Sequence, residues 1–274
     1  MKTIIVPVDF SPVSINAMNY AANMASSIDA SIILFHAYQV PVAFSEVPVV
    51  TISMDEMKKI SEEKMDELKR NLEHITSGKI KIYAESRLGD PIDELESYCK
   101  TINPFAVVMG TRGAGAIERL FMGSNTLSAI RHLNWPVITV PPGAVFHGIR
   151  KIGFACDFQK VVETTPVQII KDLCGMFNAK LLILNVDYKN KGFKPDIPEQ
   201  SLLLHTMLEK LNPSYHFIDN PNVEEGIDSF AETHAIDLII TIPKKHKLTE
   251  GLFQKSHTRE LAFHSHIPIL AIHE

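Results

Sequence analysis

The apolar positions of this chain alternate between two rhythms. "TIIVPVDF" (3–10) is a β-branched run that stops at Asp9, the pattern of a buried strand. The period then changes: Ala17, Met18, Ala21, Ala22 and Ala25 recur at helical spacing, with Ser11 placed to cap the helix and Pro12 suited to its first turn. The alternation continues with a strand "ASIILFHAY" (30–38) and a charged helix over about 54–76. The inner stripe of that helix is Met57, Ile60, Met65, Leu68 and Leu72. Then follow a strand "KIKIYAES" (79–86), a helix "DPIDELESYCKTI" (90–102), a strand "FAVVMG" (105–110), a helix "SNTLSAIRHL" (124–133) and a strand "PVITVP" (136–141). Strands and helices in strict alternation predict an α/β domain, a parallel sheet covered by helices on both faces.

After "PPGAVFHG" (141–148), which reads as a linker, the pattern restarts. "KIGFACDF" (151–158) matches "TIIVPVDF", with Asp157 against Asp9 and Phe158 against Phe10, and "AKLLILNV" (179–186) matches "ASIILFHA". The closing section aligns without a gap at a shift of 132 residues: "DLIITI" falls under "FAVVMG" and "IPILAI" under "WPVITV". A long internal repeat of this kind predicts two copies of one α/β domain, which we place at 1–142 and 149–274.

The first copy carries an irregular insert between strand and helix, "GTRGAGAIERLFMGS" (110–124). Ligands of α/β units bind where strands end, and a helix N-terminus offers unpaired N–H groups and a partial positive charge, a natural seat for phosphate. Gly110, Gly113 and Gly123 are expected to serve twice, by adopting left-handed backbone and by leaving space for phosphate oxygens. Ser124 adds a hydroxyl. Arg112 either adds a charge or points to solvent. Neither G-x-x-x-x-G-K-[ST] nor a G-x-G-x-x-G after the first strand occurs. In the second copy Gly110, Arg112, Gly113 and Gly123 become Ile242, Lys244, Lys245 and Lys255, and only the serine survives, as Ser256. An isoleucine at a left-handed position costs about 1–2 kcal/mol, so the second loop is expected not to hold phosphate in the same way. "KKHK" (244–247) is either a charge trap for an anion or a solvated loop.

The spacing G-x2-G-x9-G-[ST], together with "VPVDFS", "LFHAY", "GDP" (89–91) and "PVITVP", resembles the universal stress protein family, across the chain as a tandem pair and more strongly in the first half. That resemblance implies two open-sheet domains of the adenine nucleotide alpha hydrolase type, each a five-stranded parallel sheet of order 3-2-1-4-5, with ATP in the first. It implies that Pro7, Val8 and Asp9 meet adenine and ribose and that Ala37 lies beside the adenine. Met109, Gly110, Arg112 and Gly113 would wrap ribose and α-phosphate, and Gly123, Ser124 and Asn125 would hold the outer phosphates. Asp9 would repel polyphosphate unless it faces the ribose or a metal stands between; ribose contact is expected, with Mg2+ left open. The last strands of the two copies are expected to pair within the chain, and a further homodimer and a protein partner are left open.

Composition narrows the function classes. The chain has 274 residues, 45% hydrophobic and 22% charged, enough for two cores. A net charge of -5 disfavours nucleic acid as a partner. Three cysteines at no metal spacing and no long apolar run predict a cytoplasmic protein away from the membrane. Cys99 and Cys174 read as core residues, and Asp90, Asp93, Glu94 and Glu96 as a helix start complementing the helix dipole. His257, His264 and His266 lack the convergent set a metal needs. The apolar stretch 40–53 is either a cover over the nucleotide or a packed connection. The function expected is ATP-linked stress response or signalling; a slow ATP hydrolase, an adenylate-handling enzyme and a nucleotide-free scaffold are the alternatives.

Overall fold

The computed structural model describes residues 2–39, 53–111, 123–187, 197–243 and 257–273. Arg112, Gly113, Lys244–Lys247, Lys255, Ser256 and most of the 40–53 stretch lie outside them.

The first half runs β1 (Thr3–Pro7), α1 (Pro12–Ser27), β2 (Ser31–Tyr38), α2 (Met54–Ile75), β3 (Ile82–Leu88), α3 (Pro91–Ile102), β4 (Ala106–Gly110), α4 (Ser124–His132) and β5 (Val137–Val140). The second runs β6 (Lys151–Ala155), α5 (Val161–Thr164), α6 (Val167–Phe177), β7 (Lys180–Asp187), α7 (Ile197–Leu208), β8 (Ser214–Asp219), α8 (Val223–His234), β9 (Leu238–Thr241), α9 (His257–His264) and β10 (Ile269–Ala271). The ten strands among the described residues form one sheet of order β3-β2-β1-β4-β5-β10-β9-β6-β7-β8. Each half is thus a parallel 3-2-1-4-5 sheet, and the halves join where β5 and β10 pair antiparallel, Thr139 opposite Ile269 and Val137 opposite Ala271.

Local chemistry sets the element ends. Ser11 accepts the Ser14 N–H on its side chain and Pro12 opens α1; Asp90 accepts from the Ile92 and Asp93 N–H groups and Pro91 opens α3. Both helices start where their sequences place them. Alternate strand residues feed two cores. On one face Ile4, Val6, Ile32 and Leu34 meet α1, Met65 and Leu72 of α2, and in the second half Leu173 of α6 and Leu204 of α7. On the other Ile5, Ile33 and Val107 share a core with Leu95 of α3 and Ile130 of α4, which continues in the second half with Ile227 of α8 and Leu261 of α9. Cys99 and Cys174 are core residues, and burial pushes their thiols up to about 12 and about 11, so neither is a thiolate at neutral pH. The stripe of α2 departs from expectation: Ile60 is exposed, and Ser61 is buried in its place, its hydroxyl donating to Ser86 Oγ at 3.0 Å.

Candidate functional site

Every expected site residue within the described segments lines one cleft, which encloses about 790 Å3 with its open mouth included. β1 and its exit supply Pro7, Val8 and Asp9; β2 supplies Ala37; β4 supplies Met109 and Gly110; the start of α4 supplies Gly123, Ser124 and Asn125. The cleft lies at the carboxyl ends of the central strands, where β1 is flanked by β2 and β4 and the chain leaves to opposite faces. Sequence reasoning missed Phe35, His36, Ile92, Leu95 and Thr126, which line it too. The signal for His36 was present in "LFHAY", one position before Ala37. Ile92 follows the "GDP" turn, whose link to the cleft becomes apparent only when α3 packs back on β2.

Asp9 is held by the turn that starts α1. Its Oδ1 accepts the Ser11 hydroxyl at 2.6 Å and the Ser11 N–H at 3.0 Å. Burial works against its charge, but these hydrogen bonds, with others from Ser14 and its own backbone, outweigh burial and keep the carboxyl below its ordinary value of 3.8. It is the only acidic group among the described lining residues. The next residue, Phe10, takes the left-handed conformation at φ 63, and its counterpart Phe158 does so at φ 51. An L side chain pays about 1–2 kcal/mol there. In both halves the bend is braced by rings: Phe10 lies 4.6 Å from the His36 ring, and Phe158 stacks 5.9 Å from Phe217.

His36 Nδ1 donates to the Val8 carbonyl at 2.7 Å, which fixes the proton on Nδ1 because a carbonyl only accepts. Asn185 Nδ2 makes the equivalent bond to the Cys156 carbonyl at 2.8 Å in the second half. The bond is therefore a clamp on the strand ends common to both halves.

The glycines depart from the reason given for them. Gly110 has no positive φ, and Gly123 sits at φ -53, ψ 129, so neither uses left-handed backbone. At Gly110 the missing side chain is filled by protein: a Cβ would lie 2.6 Å from both the carbonyl oxygen and Cγ1 of Val13. This glycine lets α1 close on β4. The conformational argument against the second half therefore fails as stated. Its Ile242 is partly buried against the core, and the first helix of that half, α5, is shorter and starts from a left-handed Lys160. Gly123 precedes α4 with no side-chain cap. The Ser124 and Asn125 N–H groups have no hydrogen-bond partner among the described residues, while Thr126 Oγ1 donates to the Gly110 carbonyl at 3.1 Å and ties the helix start to β4. Bare donors at a helix N-terminus, set in a cleft with an apolar floor, make a place for an anion attached to a flat apolar group.

Residues 1–141 match the sequence model described as the universal stress protein family. The chain belongs to that family. Among relatives, a universal stress protein of Methanocaldococcus jannaschii is 28% identical over 139 residues, 51% of this chain and 81% of that protein. Universal stress protein G of Escherichia coli O157:H7 is 28% identical over 141 residues, 51% of this chain and 98% of its own. In overall fold the chain is similar to a universal stress protein from Archaeoglobus fulgidus DSM 4304, with a TM-score of 0.76 and 17% identity, covering 99% of this chain and 98% of that one. The family match falls on the half of this universal stress protein that contains the cleft. Among the described residues no helix is long and apolar enough to cross a membrane.

Proposed function

We propose that this universal stress protein is a cytoplasmic ATP-binding protein of the stress response, composed of domains 1–142 and 149–274, with nucleotide in the first domain only. The observation that carries the reading is the pair of N–H groups, of Ser124 and Asn125, that have no partner among the described residues and stand at the uncapped start of α4 in the cleft lining. The outer phosphates sit there. The adenine lies among Val8, Ala37, Ile92 and Leu95, apolar surface of the right kind for a flat base. Asp9, ionised and held at the strand exit by Ser11, takes a ribose hydroxyl. Mg2+ accompanying the triphosphate would find in Asp9 the one carboxylate among the described residues of the cleft, with phosphate and water oxygens completing its shell. Arg112 and Gly113 close over the ribose and α-phosphate on the strength of the family spacing. In the second domain the sequence has Lys255 in place of Gly123, the residue that leaves the start of α4 without a side-chain cap in the first.

Gly123→Asp tests this. The backbone at 123 accommodates aspartate, which caps helices well. Its carboxylate occupies the amides that phosphate needs and adds about 0.3–1 kcal/mol of helix stabilisation. Calorimetric titration of the full chain is expected to give one ATP per chain, with affinity reduced by at least about tenfold in the variant while its melting temperature holds or rises. Two equivalent sites, or unchanged affinity in the folded variant, would overturn the reading.

A further inference from the structure

A second cleft lies on the seam between the two halves and encloses about 510 Å3 with its open mouth. Its walls come from Tyr20 of α1, from residues 144–148 of the connection, and from the turns ahead of β9 and β10. It shares no lining residue with the first cleft, and nothing in the nucleotide reading uses it.

Tyr20 is 4% exposed, its ring edge-on to Phe146 at 5.3 Å. Burial, and after it the charge of Asp237, holds its hydroxyl well above the ordinary tyrosine range, so it stays protonated. Asp237 influences it through charge and not through a hydrogen bond, and the hydroxyl has no hydrogen-bond partner among the described residues. Asp237 is itself fixed: Oδ2 accepts the N–H groups of Arg150 at 2.7 Å and Lys151 at 2.9 Å, and Oδ1 accepts none among the described residues. Both basic residues reach Asp237 through their backbone, and neither lines the cleft. The hydroxyl and the carboxylate thus line one cleft with acceptor capacity that no described residue takes up, and a donor placed in the cleft would use it.

The chemistry of the walls selects the occupant. Tyr20 Oη and Asp237 Oδ1 offer acceptors, the Asp237 carboxylate brings negative charge, and His147 and His266 stand at the exposed rim. Phe146, Ile236, Ile267 and Pro268 supply apolar surface. Among the described residues no three His, Cys, Asp or Glu side chains converge as a metal ion requires. A compact donor-rich cation with a short hydrocarbon body satisfies both features.

We propose that the seam cleft binds a small aliphatic amine in its ammonium form, with the –NH3+ group between Tyr20 Oη and Asp237 Oδ1 and the chain against Phe146 and Ile267. The probe is n-butylammonium, titrated into the full chain by calorimetry and by amide chemical shifts, beside butan-1-ol and butyrate. One saturable site per chain is expected, with shift changes around residues 144–148 and 236–237. Asp237→Asn keeps an oxygen for the Arg150 and Lys151 amides and is expected to weaken binding at least tenfold. Tyr20→Phe, which removes only the hydroxyl, is expected to weaken it several-fold, and it stands as a separate arm if the Asp237 variant folds poorly. Butyrate is expected not to bind. Absence of saturation at millimolar probe, equal binding of butyrate, shifts confined to the first cleft, or unchanged affinity in both variants would overturn the proposal. Retained ATP binding in Tyr20→Phe keeps this test separate from the nucleotide site.

Discussion

The hydrogen bonds around Asp9 make its charge part of the fold as well as of the site. The carboxyl sits below its ordinary 3.8 because Ser11 and Ser14 donate to it against the cost of burial. A group depressed in the folded state contributes stability that is present above the unfolded value and is lost as pH falls through the folded one. Melting temperature measured against pH is therefore expected to drop on acidification below 3.8 in the native chain, and to drop less in Asp9→Asn; parallel profiles would contradict this. Asp9 was legible in the sequence because a charged residue ending a β-branched run marks a strand exit. The role of His36 was not, although "LFHAY" marked its position, since a histidine in a strand carries no mark of its partner, and the Val8 carbonyl it clamps lies at the exit of another strand. The glycines were legible as a spacing and misread as a conformation. The spacing gives their distance from each other, whereas the reason for Gly110 lies in Val13, far away in sequence.

Elements bounded by caps and prolines were found close to where they lie, because side chains at those positions satisfy the helix end directly. β3 begins at Ile82 and not at Lys79, because Ser77 and Gly78 both take left-handed backbone and the turn after α2 uses the intervening residues. On α2 the buried positions Ser61, Met65 and Leu72 keep one face, and Ile60 falls off it. Apolarity alone pointed to the wrong neighbour, because the position was decided by a serine pairing with Ser86. The contact of α1 with β4 permits a sharper test. Gly110→Ala inserts a methyl group 2.6 Å from the Val13 backbone, which has no rotamer to escape into. Overpacking of this kind costs about 1–3 kcal/mol. Urea denaturation is expected to show that loss, together with weaker ATP binding as α1 is pushed from the cleft. A variant as stable as the native chain would show that the contact is slack.

Across the whole molecule the repeat read from the sequence becomes a single surface. β1 and β6 begin at Thr3 and Lys151, β2 and β7 at Ser31 and Lys180, and each half keeps the 3-2-1-4-5 order. The antiparallel junction of β5 with β10 buries Val137, Ile138, Ile269 and Leu270 between the halves. Phe146 of the connection packs against Tyr20 of the first half and Phe177 of the second. A shared sheet and a shared core predict one cooperative unfolding transition by calorimetry, with van't Hoff and calorimetric enthalpies in agreement; two resolved transitions would contradict it. The two halves carry different loop sequences on the same sheet, which is why the fold was readable from periodicity while the proposed difference in ligand rests on a few positions at the strand ends. A crystal structure grown with saturating ATP tests that difference most directly. The account predicts one triphosphate per chain, its outer oxygens within hydrogen-bond distance of the Ser124 and Asn125 N–H groups. Nucleotide in the second half, or a first cleft left empty under those conditions, would contradict it.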